Sequence, residues 1–111
     1  MRFQLALAFL VAVAGVGVVR ADELTVPLVV EDGGFRPAEL STPTGAKVRL
    51  EVSNQTAVAI EFESFELNRE RVVQPGQKVA VYLSGLSPRR YEFFDDFHPE
   101  RKGILVVEST P

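Results

Sequence analysis

The 111-residue sequence has no cysteine, no tryptophan, one histidine and one methionine, the initiator. Each shortage removes a class of chemistry. Without thiols there is no disulfide framework for a small exported fold, no thiolate nucleophile and no sulfur anchor for a soft metal ion. One histidine, His98, with no evident nucleophile beside it makes a poor case for hydrolytic catalysis by a triad. A basic surplus is missing too. Twelve Lys and Arg stand against fifteen Asp and Glu, for a net charge of −3, which argues against nucleic acid as a partner. Beyond residue 21 no long helical period is visible, which leaves strands as the regular structure.

The one long apolar run opens the chain. Arg2 precedes "FQLALAFLVAVAGVGVV", and "VVRA" sets small or aliphatic residues three and one positions before a cut after Ala21. This three-part layout is that of a secretory signal peptide, short for a span of about 20 residues. The expectation is a leader over residues 1–21, a single domain over 22–111, and a periplasmic protein with no membrane insertion after cleavage. Loss of Arg2 and Arg20 moves the net charge from −3 to −5.

Within that domain the pattern is alternation. "KVRLEVS" and "KVAVYLS" place aliphatic residues on one side and polar ones on the other, while "LTVPLVVE" and "GILVVE" read as more deeply buried strands. The turn signals "EDGG", "TPTG", "QPGQ" and "SGLSP" separate the runs. Strands are expected near 24–31, 46–53, 58–65, 70–74, 78–84, 90–94 and 103–108. About seven short strands make an all-β Greek-key sandwich. The stretch 65–72, "FELNRERV", also admits a short helical turn.

The last third, "YEFFDDFHPERKGILVVE", resembles the C-terminal strand–loop–strand of the cupredoxins, the small copper-binding sandwiches. "VRLEVSNQTAVAIEFES", "GGFRP" and "VVQPGQKV" extend the resemblance over nearly all of the domain. On that pattern Asp95 stands at the cysteine ligand, His98 at the second histidine and Glu61 at the first. The axial methionine has no counterpart. A blue copper centre depends on a copper–thiolate bond, so this chain is no blue copper electron carrier. The glutamate in "IEFESFELNRERVVQPG" is similar to the EfeO-type cupredoxin-like domains of bacterial periplasmic iron uptake, stand-alone versions above all. That resemblance implies iron and/or copper as the bound ion, some assistance to Fe(II) oxidation, and an iron permease or other periplasmic uptake components as partners.

The candidate ligands are therefore Glu61, Asp95 and His98, with Glu63, Asp96 and Glu66 as secondary candidates. Carboxylates and one imidazole suit a hard or borderline cation. Asp95 and Asp96 are neighbours on extended backbone and point to opposite sides, so one ligates while the other orients His98 or faces water. Glu61 and Glu63 share the face opposite Ile60 and Phe62, and alternation alone leaves open whether either enters a site. Glu66 and Glu70 read as a solvated rim or as an acidic patch for cations or a partner. Arg69, Arg71, Arg89, Arg90 and Arg101 read as that rim's counter-charges. Tyr91, Phe93, Phe94 and Phe97 read as core, Phe97 also as a shield for the site. Removing Asp95 from a metal-free loop is expected to leave stability unchanged or slightly higher. The competing function is a metal-free sandwich serving as an interaction module of a transporter complex.

Overall fold

The computed structural model describes residues 23–109. The expected leader, the cut after Ala21 and the new terminus at Asp22 lie outside the described residues. Alternation in the sequence becomes a two-layer sandwich of nine strands, with no helix among the described residues. They are β1 (Glu23–Glu31), β2 (Gly34–Arg36), β3 (Glu39–Pro43), β4 (Lys47–Asn54), β5 (Ile60–Ser64), β6 (Arg69–Val73), β7 (Lys78–Leu83), β8 (Arg89–Asp95) and β9 (His98–Glu108). One sheet runs β2-β1-β4-β7 and the other β3-β9-β8-β5-β6. The pairs β1/β4 and β3/β9 are parallel and the rest antiparallel, the crossed wiring of a Greek-key sandwich.

Inward positions carry the core. Val48, Leu50 and Val52 of β4 face Val79, Val81 and Leu83 of β7 across the ladder and are buried with Leu28, Ile60 and Leu105. At the centre Phe62 stacks on Phe93 with ring centroids 5.3 Å apart, and Phe35 meets Phe93 edge-on at 5.0 Å. Opposite Phe93 in the ladder lies Gly103, where any Cβ would overlap the Phe93 ring.

The expected seven strands become nine because "GGFRPAELSTP" is not all turn. Phe35 anchors β2, and β3 buries Leu40 and Thr42 while exposing Glu39, Ser41 and Pro43. β5 starts at Ile60 rather than 58, which leaves Val58 half-exposed in the preceding loop. A knot around buried Asn54 holds that loop. Its Oδ1 accepts from the Thr56 N–H and hydroxyl, and its Nδ2 donates to the carbonyls of Val58 and Val73. Residues 65–68 form the turn of the β5–β6 hairpin, with Asn68 at φ 56°. The turn is not extended into a helix, because β6 pairs with β5 from Arg69 onward.

Candidate metal centre

Ile60 and Phe62 are fully buried, so β-pleating turns Glu61 and Glu63 to the outer face of the second sheet. The hairpin register then adds a third carboxylate, since Glu70 of β6 lies directly across from Glu63, and Val72 across from Glu61. Ligand oxygens of Glu61, Glu63 and Glu70 all lie within 4.8 Å of one another, the one such group of three or more among the described residues. No Lys or Arg forms an ion pair with any of the three among the described residues.

Glu61 sits deepest, only 8 % exposed. Burial, then a hydrogen bond to Glu70 and its charge, then the charges of Glu63 and Asp96, push its carboxyl up to about 7. Glu63 is raised as well, by burial first and then by Glu70 and Asp96. For Glu61 and Glu63 burial and crowding favour the protonated form, and a bound cation reverses that preference.

The sequence placed Asp95 and His98 beside Glu61 as ligands, and in the structure Asp95 lies next to Glu61 and His98 within a set of protein donors. Asp95 is wholly buried and each of its oxygens meets two donors. Oδ1 accepts the backbone N–H of Glu61 and of Phe97, both at 3.0 Å. Oδ2 takes His98 Nδ1 at 2.9 Å and Arg101 Nη1 at 3.0 Å. Four donors fill the acceptor capacity of a carboxylate, and an ionised one can only accept, so His98 Nδ1–H donates. Asp95 is thus the group that orients His98, the role the sequence reading offered to Asp96. Asp96 is exposed, with its N–H bound to the Glu61 carbonyl and its charge near Glu61 and Glu63.

Arg101 is not on the rim. Between Phe94↔Lys102 and Asp95↔His98 the β8–β9 register slips, so Pro99, Glu100 and Arg101 are extra residues on β9. Arg101 nonetheless keeps the inward phase of Gly103, Leu105 and Val107 along β9 and is 8 % exposed. Glu66 lies outside the acidic group: Oε1 accepts the Glu92 N–H at 2.7 Å and Oε2 pairs with Arg89 at 3.4 Å. Phe97 is 49 % exposed, at the tip of the β8–β9 hairpin rather than in the core.

The sequence reading located Glu61 and Glu63 on one face and kept Glu70 apart from them, with Glu66, as rim or as an acidic patch for cations or a partner. The clue to Glu70 is the hairpin: a turn at 65–68 sets β6 in a register that pairs 63 with 70. The clue to Arg101 is the alternation of β9, since it stands two, four and six residues before the buried Gly103, Leu105 and Val107.

Residues 3–107 match the family model described as a cupredoxin-like domain. An uncharacterized protein of Rickettsia prowazekii (strain Madrid E) is 34 % identical over 87 residues, which cover 78 % of this chain and 70 % of that protein. The fold superposes on the metal-binding domain of the Cu(I)-exporting P-type ATPase CopA of Streptococcus pneumoniae with a TM-score of 0.68, at 15 % identity over 78 % of this chain and 86 % of the other. It also superposes on a reduced mutant of amicyanin (TM-score 0.62, 18 % identity, 76 % and 82 % covered). A purple cupredoxin from Nitrosopumilus maritimus gives a TM-score of 0.59 at 17 % identity, with 75 % and 99 % covered.

Proposed function

This chain belongs to the cupredoxin-like domain family, and on that premise we propose that it binds a hard cation on carboxylates of its β5–β6 face. A blue copper centre does not fit the residues present. There is no thiolate, and the carboxylate at the corresponding place, Asp95, is filled by four protein donors. The all-oxygen set of Glu61, Glu63 and Glu70 fits Fe(II), Fe(III) or Mn(II), accepts Cu(II), and disfavours Cu(I). The biological ion is iron, and copper is its nearest competitor. The protein acts as an exported periplasmic component of an EfeO-type ferrous-iron uptake system, presenting iron to a permease or its periplasmic partners. When bound, the ion supplies whatever redox chemistry the protein performs. The chain contributes the carboxylates and the hairpin that holds them in register.

The carrying observation is Glu61: a residue only 8 % exposed, whose carboxyl lies among two more carboxylates with no Lys or Arg paired to any of the three among the described residues. Burying such a group unpaired costs several kcal/mol, and a bound metal ion removes that cost. Calorimetric titration with Fe(II) under anaerobic conditions, and with Mn(II) and Cu(II), tests the reading. Wild type is expected to bind one ion, and the Glu63→Gln/Glu70→Gln variant to bind it at least about tenfold more weakly. Equal affinity in the two proteins sinks this site. Absence of binding in both favours the metal-free interaction module.

A further inference from the structure

Phe62 of β5 pairs with Asp95 of β8 in an antiparallel ladder, so the register sets Asp96 across from Glu61. A regular pair at that point would exchange two backbone hydrogen bonds. One of them is made: the Asp96 N–H donates to the Glu61 carbonyl at 2.9 Å. The other is replaced. The Glu61 N–H donates at 3.0 Å to Asp95 Oδ1, a side-chain oxygen standing where a strand carbonyl would. β8 ends at Asp95 and β9 begins at His98, so the ladder stops here and a carboxylate completes it. The most buried of the three acids on the β5–β6 face is thereby tied at its N–H and at its carbonyl. Asp95 is itself held. Its Oδ2 receives His98 Nδ1 at 2.9 Å and Arg101 Nη1 at 3.0 Å, which fixes the carboxylate plane and aims Oδ1 at the N–H groups of Glu61 and Phe97. Arg101 makes that contact while its own Nε–H stays buried without a hydrogen-bond partner.

We propose that Asp95, held by Arg101 and His98, is a positioning residue for Glu61: it fixes the main chain of that residue and so the place at which its carboxylate meets an ion. The inference rests on the reading of the β5–β6 face as a metal site. Asp95 stays off the ion and acts only through the Glu61 backbone. Groups that orient a metal ligand from behind carry about 10–100-fold of the affinity. The acceptor oxygen, rather than the charge of Asp95, is what the Glu61 N–H requires, and the two can be separated.

Two double variants separate them. Asp95→Ala/Arg101→Met removes the ion pair and the acceptor together. Asp95→Asn/Arg101→Met removes the pair but keeps Oδ1 for the Glu61 N–H, and the new amide can donate to His98 Nδ1 in its other tautomer. Replacing both members of the pair avoids a stranded buried charge. Calorimetric titration with Mn(II) alone should show the alanine variant binding at least about tenfold more weakly than wild type, and the asparagine variant within about threefold of it. Val107→Ala opens a core cavity at the other end of β9 and should leave the affinity unchanged. In metal-free protein the Glu61 amide should exchange slowly in wild type and the asparagine variant, and fast in the alanine variant. Wild-type affinity in the alanine variant overturns the proposal, as does an asparagine variant that binds as weakly as the alanine one. An equal loss in Val107→Ala assigns the effect to general destabilisation, and an alanine variant that does not fold assigns Asp95 to the fold alone; either result overturns it. Wild type that binds no Mn(II) removes the metal site itself, and this inference with it.

Discussion

At the scale of single residues, two carboxyl groups on neighbouring strands meet opposite fates. Asp95 is saturated with donors, whereas Glu61 is crowded by acids and held up to about 7. Removing Asp95 deletes four hydrogen bonds at once and strands Arg101 in the interior. This reverses the sequence-based expectation that the metal-free loop would tolerate the change. Asp95→Ala should destabilise the apo domain by about 3–5 kcal/mol, the usual cost of breaking a buried ion pair from one side, measured by urea unfolding. A loss below about 1 kcal/mol would show that the hub carries little. Glu61 gives the contrary dependence on pH. The folded protein keeps its proton up to about 7, while the unfolded chain releases it near the ordinary 4.5. Between those values the native state binds the extra proton, so apo stability falls as pH rises through the window. Melting of wild type between pH 4.5 and 8 should show this fall, and Glu61→Gln should flatten it. Bound metal displaces the proton, so metal affinity should weaken as pH drops below about 7. A wild-type profile identical to that of Glu61→Gln would remove the buried acid from the account.

At the scale of elements, strands were legible where alternation met a turn, and missed where the turn residues themselves lay in strands. Val48, Leu50 and Val52 announced β4 because every second position is apolar. β2 and β3 hid behind Gly33, Gly34 and Pro37, and only their burial of Phe35, Leu40 and Thr42 distinguishes them from loop. Pairwise geometry was less legible than strands. Glu61 and Glu63 could be put on one face from spacing, but the contact with Glu70 needs the hairpin register, and the ion pair of Arg101 with Asp95 needs the pairing of β8 with β9, although the inward phase of Arg101 follows from Leu105 and Val107. Cross-strand packing also explains the glycine in β9. Phe93 is wedged between Phe35 and Phe62 and cannot move aside, so Gly103→Ala should cost about 1–3 kcal/mol through overpacking, read as a lower thermal midpoint. An unchanged midpoint would mean that the ring yields. The seam between the sheets is closed by side chains. β7 ends its sheet, and Arg71 and Arg69 donate to its Ala80 and Tyr82 carbonyls at 2.9 and 3.0 Å. These bonds block an edge that could otherwise pair with another chain. Arg69→Ala/Arg71→Ala should self-associate at high concentration in light scattering, while wild type does not. A variant that stays monomeric throughout would show that the edge is protected by other means.

At the scale of the whole molecule, the sandwich carries two charged centres that differ in completeness. The inward centre formed by Asp95, His98 and Arg101 is internally neutralised, apart from one orphaned N–H. Next to it, the β5–β6 face gathers acids without an ion-paired Lys or Arg among the described residues, in a protein whose net charge is already negative. A domain with no cysteine cannot hold copper through a thiolate, and the site proposed above uses oxygen ligands outside the sandwich core. Anomalous diffraction from crystals equilibrated with Mn(II) tests this placement most directly. A single peak among the carboxylates of Glu61, Glu63 and Glu70 is expected, with Arg101 still on Asp95. A peak at His98 and Asp95, with Arg101 displaced and the acidic face empty, would overturn both the site and the division of labour between the two centres.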